Sequence, residues 1–190
     1  VLAASSLSLL SLAVLGTVSA GGRPSCYGHR AVVVGTAGGD GIRVGPGDKV
    51  VVGGGGNDLI ITGPGRNLIC AGTGDDEVRS GRGRDRLFGD LGNDTLSGQV
   101  GSDKIDGGPG DDLIFGGPGG ETALGGPGED RLYGLQQDDD LLGGEDDDVL
   151  IGDHGIDLLS GGPGSDVLRG DQGRESYDGG GDEDWANFGT

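Results

Sequence analysis

From Gly35 to Asn187 the chain repeats every nine residues, 17 times, without an insertion or deletion. A fixed short period leaves few architectures open, because every copy must make the same local structure and bury its apolar residue against its neighbours. The pattern is Gly-Gly-x-Gly-x-Asp-x-aliphatic-x, complete in Gly107-Gly-Pro-Gly-Asp-Asp-Leu-Ile-Phe115. The eighth place is Val, Ile or Leu in 14 of 17 copies, the departures being Ala123, Tyr177 and Ala186. Those three residue types make up 43 of the 190 residues, so chance would put only about four of them there. The sixth place is Asp in 13 copies.

Composition narrows the choice further. Forty-eight glycines without a period of three exclude collagen, and 4% aromatics with no Met make an ordinary globular core implausible. A formal charge of −19 repels nucleic acid and suits cations. Within each copy the first six places read as a turn and the last three as a short strand. Six of the seven prolines sit at the third place (Pro46, Pro64, Pro109, Pro118, Pro127, Pro163), where they preset a turn without removing a ladder hydrogen bond. The eighth-place aliphatic then points inward and its neighbours outward. Two copies make one circuit of 18 residues, giving about 8.5 circuits and a coil near 40 Å long at the ~4.8 Å strand spacing.

These residues resemble the haemolysin-type, or RTX, calcium-binding repeat, and the resemblance covers the chain from Gly35 to Asn187. It implies an all-β fold, a right-handed parallel β-roll (a solenoid of nonapeptide repeats, two per turn). It also implies multiple Ca²⁺ as cofactor, held between turns stacked along each edge. In that family one turn supplies its sixth-place Asp and the carbonyls of places two and four. The turn one circuit later supplies its own sixth-place Asp and the carbonyls of places one and three. Such oxygen ligation suits Ca²⁺ better than Mg²⁺ or a soft metal. The implied metal residues form two columns. The odd copies place Asp40, Asp58, Asp76, Asp94, Asp112, Asp130, Asp148, Asp166 and Asp184 on one edge. The even copies place Asp85, Asp103, Asp139 and Asp157 on the other, interrupted by Lys49, Asn67, Glu121 and Glu175. The expectation is therefore an unbroken calcium ladder on the odd edge and a broken one on the even edge, where Lys49 and Arg66 supply positive charge. Carboxylates ~4.8 Å apart repel by roughly 0.9 kcal/mol in water and about 3.5 kcal/mol at an effective dielectric of 20. Nine Ca²⁺ would set +18 against the formal −19. A chain that folds on binding calcium is expected.

The segments outside the repeat add context. Residues 1–20 are apolar and uncharged and end Val18-Ser19-Ala20, like a secretory signal with a cleavage site, so a secreted or extracellular chain is expected. Residues 21–34 read as an N-terminal lead-in, residues 35–187 as the repeat coil and 188–190 as its end. Cys26 and Cys70 are the two cysteines; they either form a disulfide onto the fourth copy or are unrelated thiols, and neither number nor spacing fits zinc. Leu135, Gln137 and Asp146 replace turn glycines and mark the expected irregularity of the coil. Tyr177, Trp185 and Phe188 are candidates to cover its last turn. Outward apolar residues (Leu59, Ile61, Leu113, Phe115, Ile151 and Leu158) suggest sheet faces covered by another chain or a surface. The sequence shows no catalytic motif, and the short stretch from Gly21 to Val34 leaves no room for a catalytic domain ahead of the repeat. A calcium-binding, non-enzymatic protein with a structural or adhesive role is the reading this supports. Its partners are calcium ions and a cell-surface or protein partner, with no nucleic acid and no membrane span. A ligand- or ice-binding coil rigidified by calcium is the alternative, and an accessory domain of a secreted hydrolase a more distant one.

Overall fold

In a computed structural model, residues 25–170, 176–180 and 184–187 are described. Two parallel nine-stranded sheets face each other, joined by turns into a coil that contains no helix among the described residues. One sheet holds the strands of the odd copies, from Gly41–Val44 to Trp185–Asn187. The other holds those of the even copies, from Val50–Gly55 to Ser176–Gly180, preceded by Val33–Val34. Neighbouring strands pair in register with the copy one circuit away: Ile42 lies beside Ile60, Leu96 beside Ile114 and Leu132 beside Leu150. The circuit predicted from the period is the one the backbone makes.

Glycine-rich turns force the chain to reverse once in every copy, and the period-2 pleat sends the eighth-place side chain inward. The core is consequently a double file of single residues, one per copy. Ile60, Ile69, Leu87, Leu96, Leu132 and Leu150 are among those with no exposed surface. Most of their neighbours at places seven and nine lie on the outer faces, half-buried or exposed. In the last described strand Ala186 is exposed.

Three expectations need amending. The repeat register begins before Gly35: Val33 pairs with Val51, so Val33–Val34 is the strand of one further, incomplete copy. Leu135, Gln137 and Asp146 do not break the coil. They adopt the left-handed angles normally left to glycine (φ 84°, 72° and 78°), and pairing continues through them. A register shift falls instead between Ile151 and Asp153, in the pairing of Val149–His154 with Val167–Gly170. Trp185, a candidate cover for the last turn, points out of the odd sheet and is 65% exposed, while Tyr177 is half-buried against the core. Phe188 and the signal-like residues 1–20 lie outside the described residues.

The lead-in folds as a hairpin, Ser25–Cys26 against His29–Arg30, around a two-residue turn at Tyr27 and Gly28 with φ of 45° and 81°. Positive φ at both central residues matches the twist of a tight hairpin. This hairpin lies on the outer face of the even sheet. Cys26 is wholly buried against Leu68, Cys70 and Phe88, with Val50 and Val52 at the margin. The Tyr27 ring stacks on Phe88, centroids 3.9 Å apart, and the Arg86 guanidinium lies 5.6 Å from the Phe88 centroid. Cys26 and Cys70 form a disulfide closing a sequence separation of 44, with Cα atoms 5.8 Å apart.

Because each circuit has only two inward side chains, a cavity has little local material to collapse into it. Leu132→Ala is expected to cost about 2–5 kcal/mol in chemical denaturation at saturating calcium.

Candidate metal-binding edges

The sixth-place residues build two stacked columns where the turns reverse. On the odd edge the backbone N–H of Asp40 donates to Asp58 Oδ1 at 2.7 Å, and that of Asp58 to Asp76 Oδ1 at 2.7 Å. The same bond recurs in every circuit through Asp148 N–H to Asp166 Oδ1 at 2.8 Å and Asp166 N–H to Asp184 Oδ1 at 3.1 Å. All nine odd-edge aspartates therefore stand in one ladder. On the even edge Asp85 donates to Asp103 Oδ1 at 2.7 Å, Glu121 to Asp139 Oδ1 at 2.8 Å and Asp139 to Asp157 Oδ1 at 2.9 Å. Glu121 interrupts this column as expected: it is buried and its N–H reaches Asp139, but neither of its carboxyl oxygens has a hydrogen-bond partner, so the bond from the Asp103 N–H is missing. The even edge is thus interrupted at Lys49, which brings no carboxyl, and again between Asp103 and Glu121, while the Asn67 N–H still donates to Asp85 Oδ1 at 2.6 Å. Glu175 lies outside the described residues.

One carboxyl oxygen is used by the ladder and the other is left over. The Oδ2 atoms of Asp58, Asp76, Asp94, Asp112, Asp130 and Asp148, and of Asp85, Asp103 and Asp139, are buried with no hydrogen-bond donor. Buried acceptors without partners are costly and rare, and here they recur at turn after turn. Those of Asp58, Asp94, Asp103, Asp112, Asp130 and Asp148 lie above the first-place glycine of their own copy, beside the first-place carbonyl one circuit on. A Cβ at Gly98 would sit 2.6 Å from Asp103 Oδ2 and 2.9 Å from the Gly116 carbonyl oxygen. At Gly107 it would collide with Asp112 Oδ2 and with the Gly125 carbonyl. The first-place glycines thus keep open a cradle lined by acceptor oxygens that no donor reaches. Among the described residues no three Asp, Glu, His or Cys side chains converge on one point, so peptide carbonyls must complete any cation's shell. That donor set, one or two carboxylates with several carbonyls, is what a hard cation of flexible coordination takes.

The electrostatics agree. Burial, with neighbouring carboxylates adding to it, raises Asp112 to about 8, Asp76 and Asp148 to about 7 and Asp94 to about 6. Burial likewise lifts Asp103, Asp130 and Asp139 to about 6, and burial together with Asp139 lifts Glu121 to about 9. Without a counterion these groups hold protons that ordinary carboxylates have lost.

Fifth-place residues form a second, exposed ladder of opposite sense, which sequence reasoning missed. Asp75 N–H donates to Asn57 Oδ1, Asn93 N–H to Asp75 Oδ1 and Asp111 N–H to Asn93 Oδ1, each at 3.1 Å. Asp138 and Asp147 accept from the Ile156 and Ser165 N–H groups in the same way, at 2.9 and 2.8 Å. The acidic runs around residues 138–140 and 146–148 therefore include turn-to-turn acceptors beside the sixth-place column. Their only advance signal was the recurrence of Asp and Asn at the fifth place.

A two-sheet parallel coil with oxygen-lined edges is a β-solenoid of the cation-seeking class, a non-catalytic repeat fold. The RTX calcium-binding nonapeptide repeat (4 copies) matches residues 34–69, 44–78, 65–96, 88–120, 115–150 and 151–186. The chain belongs to the RTX repeat family. The comparison with curated proteins finds no match.

All these carboxyl groups have folded pKa values above their ordinary 3.8, or 4.5 for Glu121, so the metal-free coil binds more protons than the unfolded chain. Its stability is greatest in acid and falls as pH rises through about 6 to 9, the range of the raised values. Metal-free protein is expected to gain β-type circular dichroism as pH is lowered from about 9 to 5, reversibly. Calcium affinity is expected to move the other way, weakening over the same descent because protons compete for the carboxylates.

Proposed function

We propose that this is an exported, non-enzymatic calcium-binding solenoid that folds around a file of Ca²⁺ ions on each edge and presents its rigid faces to a surface or protein partner. One observation carries the reading: a donor-less buried carboxylate oxygen faces a first-place carbonyl in circuit after circuit. Calcium is the cation the family membership points to, and the odd-edge aspartates with Asp85, Asp103, Glu121, Asp139 and Asp157 are its ligands. Each ion bridges two turns, so binding and winding of the coil are one event. Export is supported by the apolar residues 1–20, by a disulfide of the kind oxidising compartments allow, and by the typical secretion of RTX proteins. No helix among the described residues is long and apolar enough to cross a membrane.

The outer face of the odd sheet supports a surface-binding use. Its seventh and ninth places hold Arg43, Arg79, Arg131 and Arg169 against a single acid, Glu77, in a chain of formal charge −19. Leu113, Phe115, Tyr133 and Ile151 lie between, half-buried, with the Phe115 and Tyr133 rings stacked at 5.2 Å. This basic, apolar face is the part of the coil suited to an anionic partner.

Calorimetry and circular dichroism in a calcium titration test the reading. Calcium should order the chain, and a chelator should collapse the β signal. Asp112→Asn, in the buried column, is expected to remove one or two ions from the binding stoichiometry, since its carboxylate serves the sites above and below. Asp111→Asn, on the exposed ladder beside it, should leave the stoichiometry unchanged. Equal effects of the two variants would overturn the assignment.

A further inference from the structure

At the N-terminal end of the even edge the cradle is filled by the protein itself. Lys49 Nζ donates to the carbonyls of Pro46 and Gly47, at 2.9 and 3.0 Å. Asn67 occupies the sixth place of the next even turn and is 2% exposed. Its Nδ2 donates to the Gly63 carbonyl at 3.1 Å and to the Ser80 carbonyl at 3.2 Å. Gly63 is the second place of one turn, and Ser80 is the first place of the turn one circuit on. Elsewhere in the coil the first-place carbonyl of the following turn faces a bare carboxylate oxygen. Here it receives an amide.

The first place is altered in step. Thr62 and Ser80 stand where most copies have glycine, and both are buried, at 5% and 0% exposed. The Thr62 hydroxyl donates to the Ser80 carbonyl at 2.5 Å, and the Ser80 hydroxyl to the Gly98 carbonyl at 2.6 Å. A side chain at the first place fills the space that glycine keeps open elsewhere. Four residues of three adjacent even turns thus bring hydrogen-bond donors where the repeat has glycine or a carboxylate, and each donor ends on a backbone carbonyl of the even edge, although Asn67 Oδ1 is itself left buried without a partner.

Charge follows the same division. Residues 40–88 hold seven acids and seven bases, whereas residues 89–190 hold 25 acids and four bases. The first part thus carries no net charge to oppose its winding, whereas the second carries a large negative one. The disulfide between Cys26 and Cys70 and the hairpin stacked on Phe88 fasten the same rungs.

We propose that Lys49, Thr62, Asn67 and Ser80 replace calcium on the first even-edge turns, making the rungs up to Phe88, although Asp58, Asp76 and Asp85 within them remain open to calcium, the part of the coil least dependent on metal and the nucleus from which calcium-driven winding runs toward the C-terminus. This rests on the calcium reading for the remainder of the coil. The nucleus gives the first ion-binding turn a preformed neighbour to stack on, which a chain ordered only by calcium would lack.

Amide hydrogen exchange on the oxidised full-length chain in excess chelator tests the nucleus directly. The Leu68 and Arg86 amides, bonded to the Lys49 and Asn67 carbonyls, are compared with those of Asp140 and Leu158, bonded to Glu121 and Asp139. The first pair should exchange at least tenfold more slowly than the second. Equal rates would overturn the proposal. A second arm restores the repeat pattern with Thr62→Gly, Asn67→Asp and Ser80→Gly together. By calorimetry this variant should bind one more Ca²⁺ per chain than the natural sequence, and should lose the slow exchange in chelator. A folded, calcium-loaded variant with unchanged stoichiometry and unchanged protection would overturn the proposal as well. Were the natural chain to bind no calcium at all, the function proposed above would fail, while the exchange comparison, made without metal, would still decide this one.

Discussion

Like charges stacked in register inside a solvent-excluded edge are the constraint on which this molecule depends. A period of nine, two copies to a circuit, returns every odd-copy aspartate to a position directly beside its counterpart one circuit earlier. The backbone ladder that positions these groups uses one oxygen of each and turns the other into a closed, donor-free space. Such an arrangement stands only if protons or cations fill it. Glycine at the first place gives room for the cation, and the hydrogen-bonded turns give it carbonyls. The two files of aliphatic residues supply one inward side chain per copy, so only a thin apolar core stands against that repulsion.

Much of this was legible in the residue order because a repeat multiplies weak signals. One aliphatic residue at one position says little, but 14 of 17 in step define the inward face. The same holds for the aspartate column, whose nine odd members fall where the period placed them. What escaped was whatever the repeat does not repeat. Val33 keeps the register while its copy lacks the turn glycines, so the start of the coil was set too late. Glu121 does interrupt its column, because its side chain is longer by a methylene and its carboxyl takes no bond from the Asp103 N–H. Thr62 and Ser80 drew no notice in the repeat, since only the folded chain reveals which carbonyls their hydroxyls meet. The hairpin on the even sheet was likewise hidden. Its attachment depends on Tyr27 reaching Phe88, a partner several copies further along the chain that no local pattern announces.

The two outer faces end up chemically distinct although one repeat generates both. Places seven and nine are free of the constraints that fix the turn and the core, and they diverge accordingly. The even face is covered at its start by the hairpin, and farther on carries Asp106, Asp140 and Asp178. Leu124, Leu142 and Leu158 are exposed on it. The odd face gathers arginines and rings. The edges repeat because stacking constrains them, whereas the faces are left free to vary.

The link between Cys26 and Cys70 also decides how the molecule would carry tension. Each circuit touches only the circuits above and below, so a pull on the C-terminal end would peel the coil one circuit at a time, each step releasing roughly 60 Å of extended chain. A pull from the other end meets a covalent shortcut. Load passes from Cys26 straight into Cys70, and the chain from residue 27 to residue 69 bears none of it. The oxidised molecule would therefore yield from its C-terminal end, with its opening rungs shielded from strain.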